Sequence, residues 1–199
     1  MRIFTGGRLP TGHPDDARRK RITSGVLAVL QERGVEGLTH RAVAAAAGVP
    51  LGSTTYHFRS KDDLLAVALS EAIDGWATEL DAWAAALPLG TPLAQALAEW
   101  HVQATTTRRA TSLVELELFS AALRRPALQE LASVWEDRMV AAMGTLVNDA
   151  SLGRVVAAAA TGITFATLAR GTSLDPGDAE VWFRTLLGDL VVGQHRSHS

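Results

Sequence analysis

The sequence of 199 residues contains no cysteine, only one tyrosine and no long uninterrupted run of apolar side chains. The lack of cysteine excludes disulfide bonds and thiolate metal sites, and it is compatible with a reducing cytoplasm. The longest apolar stretch, residues 155–169, is interrupted by threonines and a glycine, so we expect a buried helix rather than a membrane span. We expect no secretory signal, because residues 1–14 lack a continuous apolar segment.

The net charge of the whole chain is only −2, but the charge is unevenly distributed. Residues 1–61 contain ten basic and four acidic side chains, which give this segment a net charge of +6. The remainder, residues 62–199, therefore has a net charge of −8. A basic segment joined to an acidic one is the charge pattern expected of a DNA-binding module attached to a body with another role.

Apolar periodicity and turn residues predict an all-α fold of about nine helices. Val26, Val29 and Leu30 recur at helical spacing, which predicts a first helix from residue 15 to 33. A long helix capped by Ser60 is expected to end near residue 87, because prolines and a glycine follow it. Five further helices are predicted at residues 92–107, 112–124, 126–149, 151–170 and 178–194.

The stretch from Leu38 to Lys61, LTHRAVAAAAGVPLGSTTYHFRSK, predicts two short helices around a tight turn. Thr39 is a good N-cap for the alanine-rich first helix. Gly48 provides the backbone freedom that the turn needs, and Pro50 has a φ angle suited to the start of the second helix. This order is typical of a helix-turn-helix, whose second helix lies in the DNA major groove, although an ordinary helical hairpin has the same outline.

Side chains suited to DNA contact lie along both of these short helices. Arg41 is near the start of the first helix, where it can face a phosphate or a base edge. The second helix begins with small polar residues that can approach base edges, and longer donors follow them. The predicted DNA-binding residues are Thr39, His40, Arg41, Leu51, Gly52, Ser53, Thr54, Thr55, Tyr56, His57 and Lys61.

The run G-x-x-x-x-H-F-x-S-K-x-x-L at residues 52–64, preceded by LTHRAVAAAAGV, resembles the DNA-binding domain of TetR-family transcriptional regulators. The resemblance covers residues 19–69. It implies a three-helix DNA-binding domain at residues 15–61, after a mobile tail at 1–14, and a helical effector-binding and dimerisation domain at 62–195. Two positions differ from the family pattern, which usually has a serine cap in place of Pro50 and a tyrosine in place of Thr55.

The predicted body also contains a candidate site for a small molecule. Aromatic, apolar and charged groups occur on helices that we expect to be neighbours, and the resemblance implies that an effector binds among them. The acidic body favours a cationic or neutral apolar effector over an anion. A core filled by the same tryptophans is an equally open reading. The candidate effector-binding residues are Trp100, His101, Glu115, Phe119, Trp135 and Arg138.

The last two predicted helices suggest an interface between two copies of the chain. The segment RVVAAAATGITFATLA has small residues on several faces, whereas VWFRTLLGDLVVG has a broad apolar band. Small residues on one helix and bulky residues on the next suit a two-fold four-helix interface. Packing entirely within one chain is the alternative.

No enzyme motif is present, and the six histidines show no spacing typical of metal ligands. We therefore predict a cytoplasmic, homodimeric and non-enzymatic repressor that uses no cofactor or metal. It binds a palindromic double-stranded DNA operator and is released from it by a small-molecule effector. The first alternative is a helical bundle that binds small molecules but has lost DNA binding. Pro50 and Thr55 support this alternative, because both differ from the family pattern. The second alternative is an all-α enzyme, which no group of residues in the sequence supports.

Overall fold

The computed structural model of the protein describes residues 14–192. These residues form nine α-helices and no β-strand, which confirms the predicted all-α fold. The helices are α1 (Pro14–Arg33), α2 (His40–Ala47), α3 (Leu51–His57), α4 (Lys61–Ala86), α5 (Leu93–Thr105), α6 (Arg109–Ala122), α7 (Pro126–Val147), α8 (Ala150–Ala169) and α9 (Pro176–Leu187).

The chain divides into two compact units, residues 1–64 and 65–199. The division falls within α4, three residues after the boundary predicted from the sequence. The predicted tail at residues 1–13 lies outside the described residues, and so do residues 193–195 of the predicted second domain. Pro14, which was assigned to the tail, is the first residue of α1.

The first unit is built on the apolar face of α1. Val26, Val29 and Leu30 are almost completely buried, as their spacing predicts. Gly25 lies where α1 approaches α2 most closely, since a Cβ atom at this position would lie 2.9 Å from the Cβ of Ala47. The absence of a side chain at residue 25 therefore allows the two helices to pack against each other.

The second unit is a helical body whose packing is dominated by the pairs α7 with α8 and α5 with α9. Leu97 of α5, Val156 of α8 and Phe183 of α9 are completely buried in one hydrophobic core. Burial of such side chains is the main favourable contribution to the folding of a body of this size.

Helices α6 and α9 differ most from the boundaries predicted for the body. Helix α6 begins at Arg109 rather than at residue 112, with Arg108 as an N-cap that makes no side-chain capping bond. Helix α9 is capped by Asp175, whose side chain accepts hydrogen bonds from the amides of residues 177 and 178. It ends at Leu187 because Gly188 has a φ of 62° and a ψ of −138°. The chain then turns back, and Val191 forms an isolated antiparallel bridge with Pro92.

Helix α8 is the one helix within residues 14–192 that is long and apolar enough to cross a membrane by length and composition alone. This finding differs from the expectation that its threonines make it too polar. In the structure, α8 packs on α7, and Val156, Ala157 and Ala160 are buried in the core of the body. Its apolar character is thus used, at least on that face, for packing within the protomer.

The close contact between α7 and α8 predicts that one methyl group added at this contact lowers the stability of the protein. A Cβ atom on Gly153 would lie 2.3 Å from the backbone nitrogen of Gly144, so Gly153→Ala must push the helices apart. Overpacking of this kind costs about 1–3 kcal/mol, and we expect a lower melting temperature. Gly75→Ala is the control, because a Cβ atom there meets no atom within 4 Å and should stabilise α4. Equal melting temperatures for the two variants would contradict this account.

Candidate DNA-binding surface and effector cavity

The turn between α2 and α3 has the geometry that its residues predict. The hydroxyl oxygen of Thr39 accepts a hydrogen bond from the amide of Ala42 at 3.1 Å, which caps α2. Gly48 has a φ of 62°, in the left-handed region that favours glycine. Pro50 is the N-cap of α3 and provides no side-chain hydrogen bond, yet α3 forms from Leu51 to His57. The departure from the serine cap therefore does not remove the second helix.

The accessible side chains of this hairpin are concentrated on α3. Tyr56 is 75% exposed and Leu51 is 45% exposed, while Arg41 on α2 is also exposed. Thr55 is exposed and its hydroxyl donates a hydrogen bond to the carbonyl oxygen of Gly52 at 3.2 Å. These positions form a surface of small and long polar groups, which is what a helix needs to approach a DNA groove.

Thr54 and His57 face inward rather than outward. Thr54, which was predicted to contact DNA, is completely buried, and its hydroxyl donates to the carbonyl oxygen of Leu51 at 2.8 Å, so its side chain is not accessible on this surface. The side chain of His57 is only 7% exposed, and its Nε2 lies 3.4 Å from a carboxylate oxygen of Asp15. His40 is half-buried, whereas its neighbour Thr39 is exposed.

Two features of this surface were not predicted as parts of the DNA-binding site. Arg18 lines a shallow depression together with Gly52, Ser53 and Tyr56, so α1 brings a guanidinium beside the start of α3. Arg18 was not among the predicted DNA-binding residues. Ser60 and Asp63 cap α4 reciprocally through hydrogen bonds of 3.1 and 3.2 Å, which fixes the start of the helix that carries Lys61.

The second unit encloses a cavity of about 270 Å³ with mainly aromatic walls. Trp76 of α4 stacks with Trp135 of α7 at a centroid distance of 6.4 Å, and Phe119 of α6 meets Trp135 edge-on at 5.9 Å. The lining residues are Trp76, Trp100, His101, Ala104, Arg108, Ser112, Glu115, Leu116, Phe119, Trp135, Glu136, Met139, Ala158, Thr161 and Thr164.

The structure brings five of the six candidate effector residues together around this cavity, namely Trp100, His101, Glu115, Phe119 and Trp135. Arg138 is the exception. Its guanidinium donates a hydrogen bond to a carboxylate oxygen of Asp74 at 2.8 Å on the surface, and about half of its side chain is exposed. Trp135 and Met139, four residues apart, share the inward face of α7, and Arg138 lies to the side of that face.

Glu115 is the polar group whose charge changes near neutral pH. Burial raises the pKa of its carboxyl group to about 7, because removal from water disfavours the charged form. The nearby Arg108 acts in the opposite direction, and Glu79 raises the pKa further. The neighbouring carboxylate Glu117 is exposed. The cavity therefore contains one carboxyl group that a positively charged ligand would help to ionise.

His101 is a neutral polar group in the same cavity. Burial and the positive charge of Arg108 lower the pKa of its imidazole to about 4. Its Nδ1 lies 2.9 Å from the hydroxyl of Thr164, and its ring stacks on Phe183 at a centroid distance of 5.2 Å. At neutral pH the imidazole can therefore accept or donate a hydrogen bond without adding a charge.

Arg108 is a cavity residue that the sequence analysis missed. Its guanidinium carbon lies 4.8 Å from the centroid of the Trp100 ring, which is a cation–π arrangement. One guanidinium nitrogen also lies 2.5 Å from a carboxylate oxygen of Glu79. Neither partner is near Arg108 in the sequence, so no local pattern marked this residue. Among residues 14–192 there is no cluster of three or more metal-ligating side chains.

Two family profiles match the two units in sequence. The profile described as "Bacterial regulatory proteins, tetR family" matches residues 22–68. The profile described as "Tetracyclin repressor-like, C-terminal domain" matches residues 91–193, which is more than half of the chain. The protein belongs to the TetR family. It is a DNA-binding transcriptional regulator, and regulators of this family are non-enzymatic.

Known proteins agree with this assignment. The HTH-type transcriptional regulator PksA of Bacillus subtilis (strain 168) is 38% identical over 61 residues, a match that spans 31% of this chain and 30% of PksA. The crystal structure of the multidrug binding protein EbrR complexed with imidazole has a TM-score of 0.75 and 36% identity, covering 85% of this chain and 94% of EbrR. The ethidium complex of EbrR gives a TM-score of 0.73 and 37% identity, covering 85% and 98%.

Residues of α3 and the first residue of α4 are predicted to respond differently to substitution. Tyr56→Ala should weaken operator binding without lowering the melting temperature, because the side chain is exposed. Lys61→Ala should weaken binding to all DNA sequences and lower the salt slope of binding by about one. Thr54→Ala should instead lower the melting temperature, because it removes a buried hydroxyl from the hairpin. Anisotropy titrations with DNA from upstream of the protein's own gene, together with thermal melts, separate these effects. A stable Tyr56→Ala variant with unchanged DNA binding would contradict this assignment.

Proposed function

We propose that this TetR-family regulator is a cytoplasmic homodimeric repressor whose operator binding is weakened when an aromatic cation occupies the cavity. One observation supports the cationic class above all. Glu115 places a buried carboxyl group among aromatic rings, and positive charge is attracted both by a carboxylate and by the face of a ring. Glu136 adds a second carboxyl group to the lining.

The EbrR complexes support the same ligand class by similarity. Ethidium is a planar aromatic cation, and further EbrR structures are complexes with proflavin and malachite green, which are also aromatic dyes. In this chain the tryptophan and phenylalanine rings would provide flat walls for such a molecule, and Glu115 would provide the opposite charge. The neutral imidazole of His101 and the hydroxyls of Thr161 and Thr164 add hydrogen-bonding groups.

An exposed apolar face supports dimerisation through α8 and α9. Val155 and Phe165 of α8 are 51% and 59% exposed, and Val181 and Trp182 of α9 are 59% and 44% exposed. Large exposed apolar side chains on these two helices favour a protein interface. Members of the TetR family are typically dimers, and a two-fold axis through this face would make a four-helix interface.

The proposed mechanism is a shift between two conformations of the dimer. A dimer bound to a palindromic operator holds its two recognition helices about 34–36 Å apart, one turn of DNA. An effector that binds more tightly to a different arrangement shifts the population away from the operator-bound state. The shift is limited by the difference between the effector affinities of the two arrangements.

The pKa of Glu115 gives a pH test of the proposed cation site. A carboxyl group with a pKa of about 7 is mostly neutral at pH 6 and mostly charged at pH 8. Ethidium affinity should therefore rise by up to about tenfold between these pH values. His101 stays neutral throughout because its pKa is about 4, and Arg108, Glu79 and Glu136 are the other charged groups of the site.

Ethidium fluorescence with the DNA-free protein measures this affinity. Glu115→Gln should lower the affinity at pH 8 and remove the pH dependence, while Glu117→Gln on the exposed side of the same helix should behave like the wild type. If wild-type affinity does not change between pH 6 and 8, or if Glu115→Gln leaves it unchanged, the proposed cation site is wrong.

The exposed face of α8 and α9 predicts which substitutions separate the dimer. Phe165→Glu and Trp182→Glu should give folded monomers in size-exclusion chromatography with light scattering, because each places a charge in an apolar interface. Leu89→Glu is the control, since Leu89 is 85% exposed and lies between α4 and α5. A wild-type protein that is monomeric at micromolar concentration, or dimeric Phe165→Glu and Trp182→Glu variants, would contradict this interface.

A further inference from the structure

We propose that Arg108 is a tethered cation that occupies the cation site of the cavity, and that a cationic effector binds by displacing its guanidinium from the Trp100 ring. This inference rests on the proposed function, because it concerns the same cavity. Arg108 would set the selectivity of the site for cations, and its contact with Trp100 must change when a cation binds.

The position of Arg108 matches the position expected of a bound cation. Its guanidinium carbon lies 4.8 Å from the centroid of Trp100, inside the distance of about 6 Å at which a cation is attracted to a ring face. Its side chain is only 20% exposed. The most favourable aromatic face for a cation, that of a tryptophan, is thus already covered by a positive group of the protein itself.

Arg108 also weakens the attraction that Glu115 offers to a ligand. The two residues are seven positions apart, about two helical turns, so they lie along the same side of α6. The positive charge of Arg108 favours the ionised form of Glu115, and both residues line the cavity. An incoming cation must therefore compete with Arg108 for both the ring and the carboxylate.

Local structure allows the guanidinium to leave. Arg108 is the N-cap of α6 but makes no side-chain capping bond, so the helix does not depend on the position of its side chain. Its ion-pair partner, Glu79, is 53% exposed, and the guanidinium can follow this carboxylate towards solvent when it leaves the ring. Displacement of the guanidinium therefore breaks its contact with the Trp100 ring, but the positive charge becomes hydrated again.

The same contact connects the cavity with α4. Glu79 belongs to α4, the helix that begins at Lys61 beside the DNA-binding hairpin in the chain. When a ligand takes the face of Trp100, the ion pair between Arg108 and Glu79 loses the ring that holds the guanidinium in place. Filling of the cavity therefore changes the contact between the start of α6 and α4.

The experiment compares a cation with its neutral isostere. Phenyltrimethylammonium and tert-butylbenzene have nearly the same shape but differ by one positive charge. In Arg108→Gln, the affinity for phenyltrimethylammonium should rise by about tenfold, because the competing charge is removed. The affinity for tert-butylbenzene should change little. Quenching of tryptophan fluorescence reports binding, and a thermal melt shows that each variant is folded.

Arg108→Lys is the matched control, because lysine keeps the positive charge with a different shape. Its affinity for phenyltrimethylammonium should remain nearer to the wild type than that of Arg108→Gln. A lower or unchanged cation affinity in Arg108→Gln, or an equal gain for both compounds, would overturn the inference, since an equal gain indicates only extra space.

If the wild type binds phenyltrimethylammonium in a manner that requires Glu115, but Arg108→Gln has no effect, only this inference fails. If neither compound binds any variant, the proposed cation site fails with it.

Discussion

The position of the Arg108 guanidinium over the ring of Trp100 sets the charge balance of the aromatic cavity in the second unit. A carboxyl group in aromatic surroundings, such as Glu115, is costly to ionise unless a positive charge lies nearby. Arg108 provides that charge, and Glu79 holds it from α4. The same positive charge helps to keep His101 neutral. The charges of Arg108, Glu115 and Glu79 and the protonation of His101 therefore depend on one another.

Single helices of the body serve several purposes through different faces. Helix α8 places Thr161 and Thr164 at the cavity, buries Val156 in the core and exposes Phe165 to solvent. Helix α9 exposes Trp182, while its buried Phe183 stacks on the cavity residue His101. The cavity and the proposed dimer face therefore draw on different side chains of the same two helices.

Local sequence patterns predicted the parts of the structure that depend on local physics. The cap at Thr39, the left-handed Gly48 and the apolar face of α1 follow from residue chemistry and helical spacing. The cavity residues Trp100 and Trp135 were found because large aromatic residues stood out on helices expected to be neighbours. Residue chemistry and helical spacing were sufficient for the cap, the turn and the apolar face, whereas the expectation of a cavity also relied on the family resemblance.

Features that depend on helix phase or on distant partners could not be predicted in this way. Arg138 precedes the cavity residue Met139 by one position, and that single step around α7 turns its side chain away from the cavity. Its partner Asp74 lies 64 residues earlier in the sequence. Arg108 was missed because its importance arises only when α4 and α5 bring Glu79 and Trp100 to it. Thr54 looked like a polar surface residue, but the tilt of α3 buries it.

The most direct test is a crystal structure of the protein soaked with phenyltrimethylammonium. The account predicts electron density for the cation over the Trp100 ring and close to Glu115, with the Arg108 side chain moved away from the ring towards solvent. It would be contradicted by a structure in which the cation binds elsewhere and the guanidinium of Arg108 remains over Trp100.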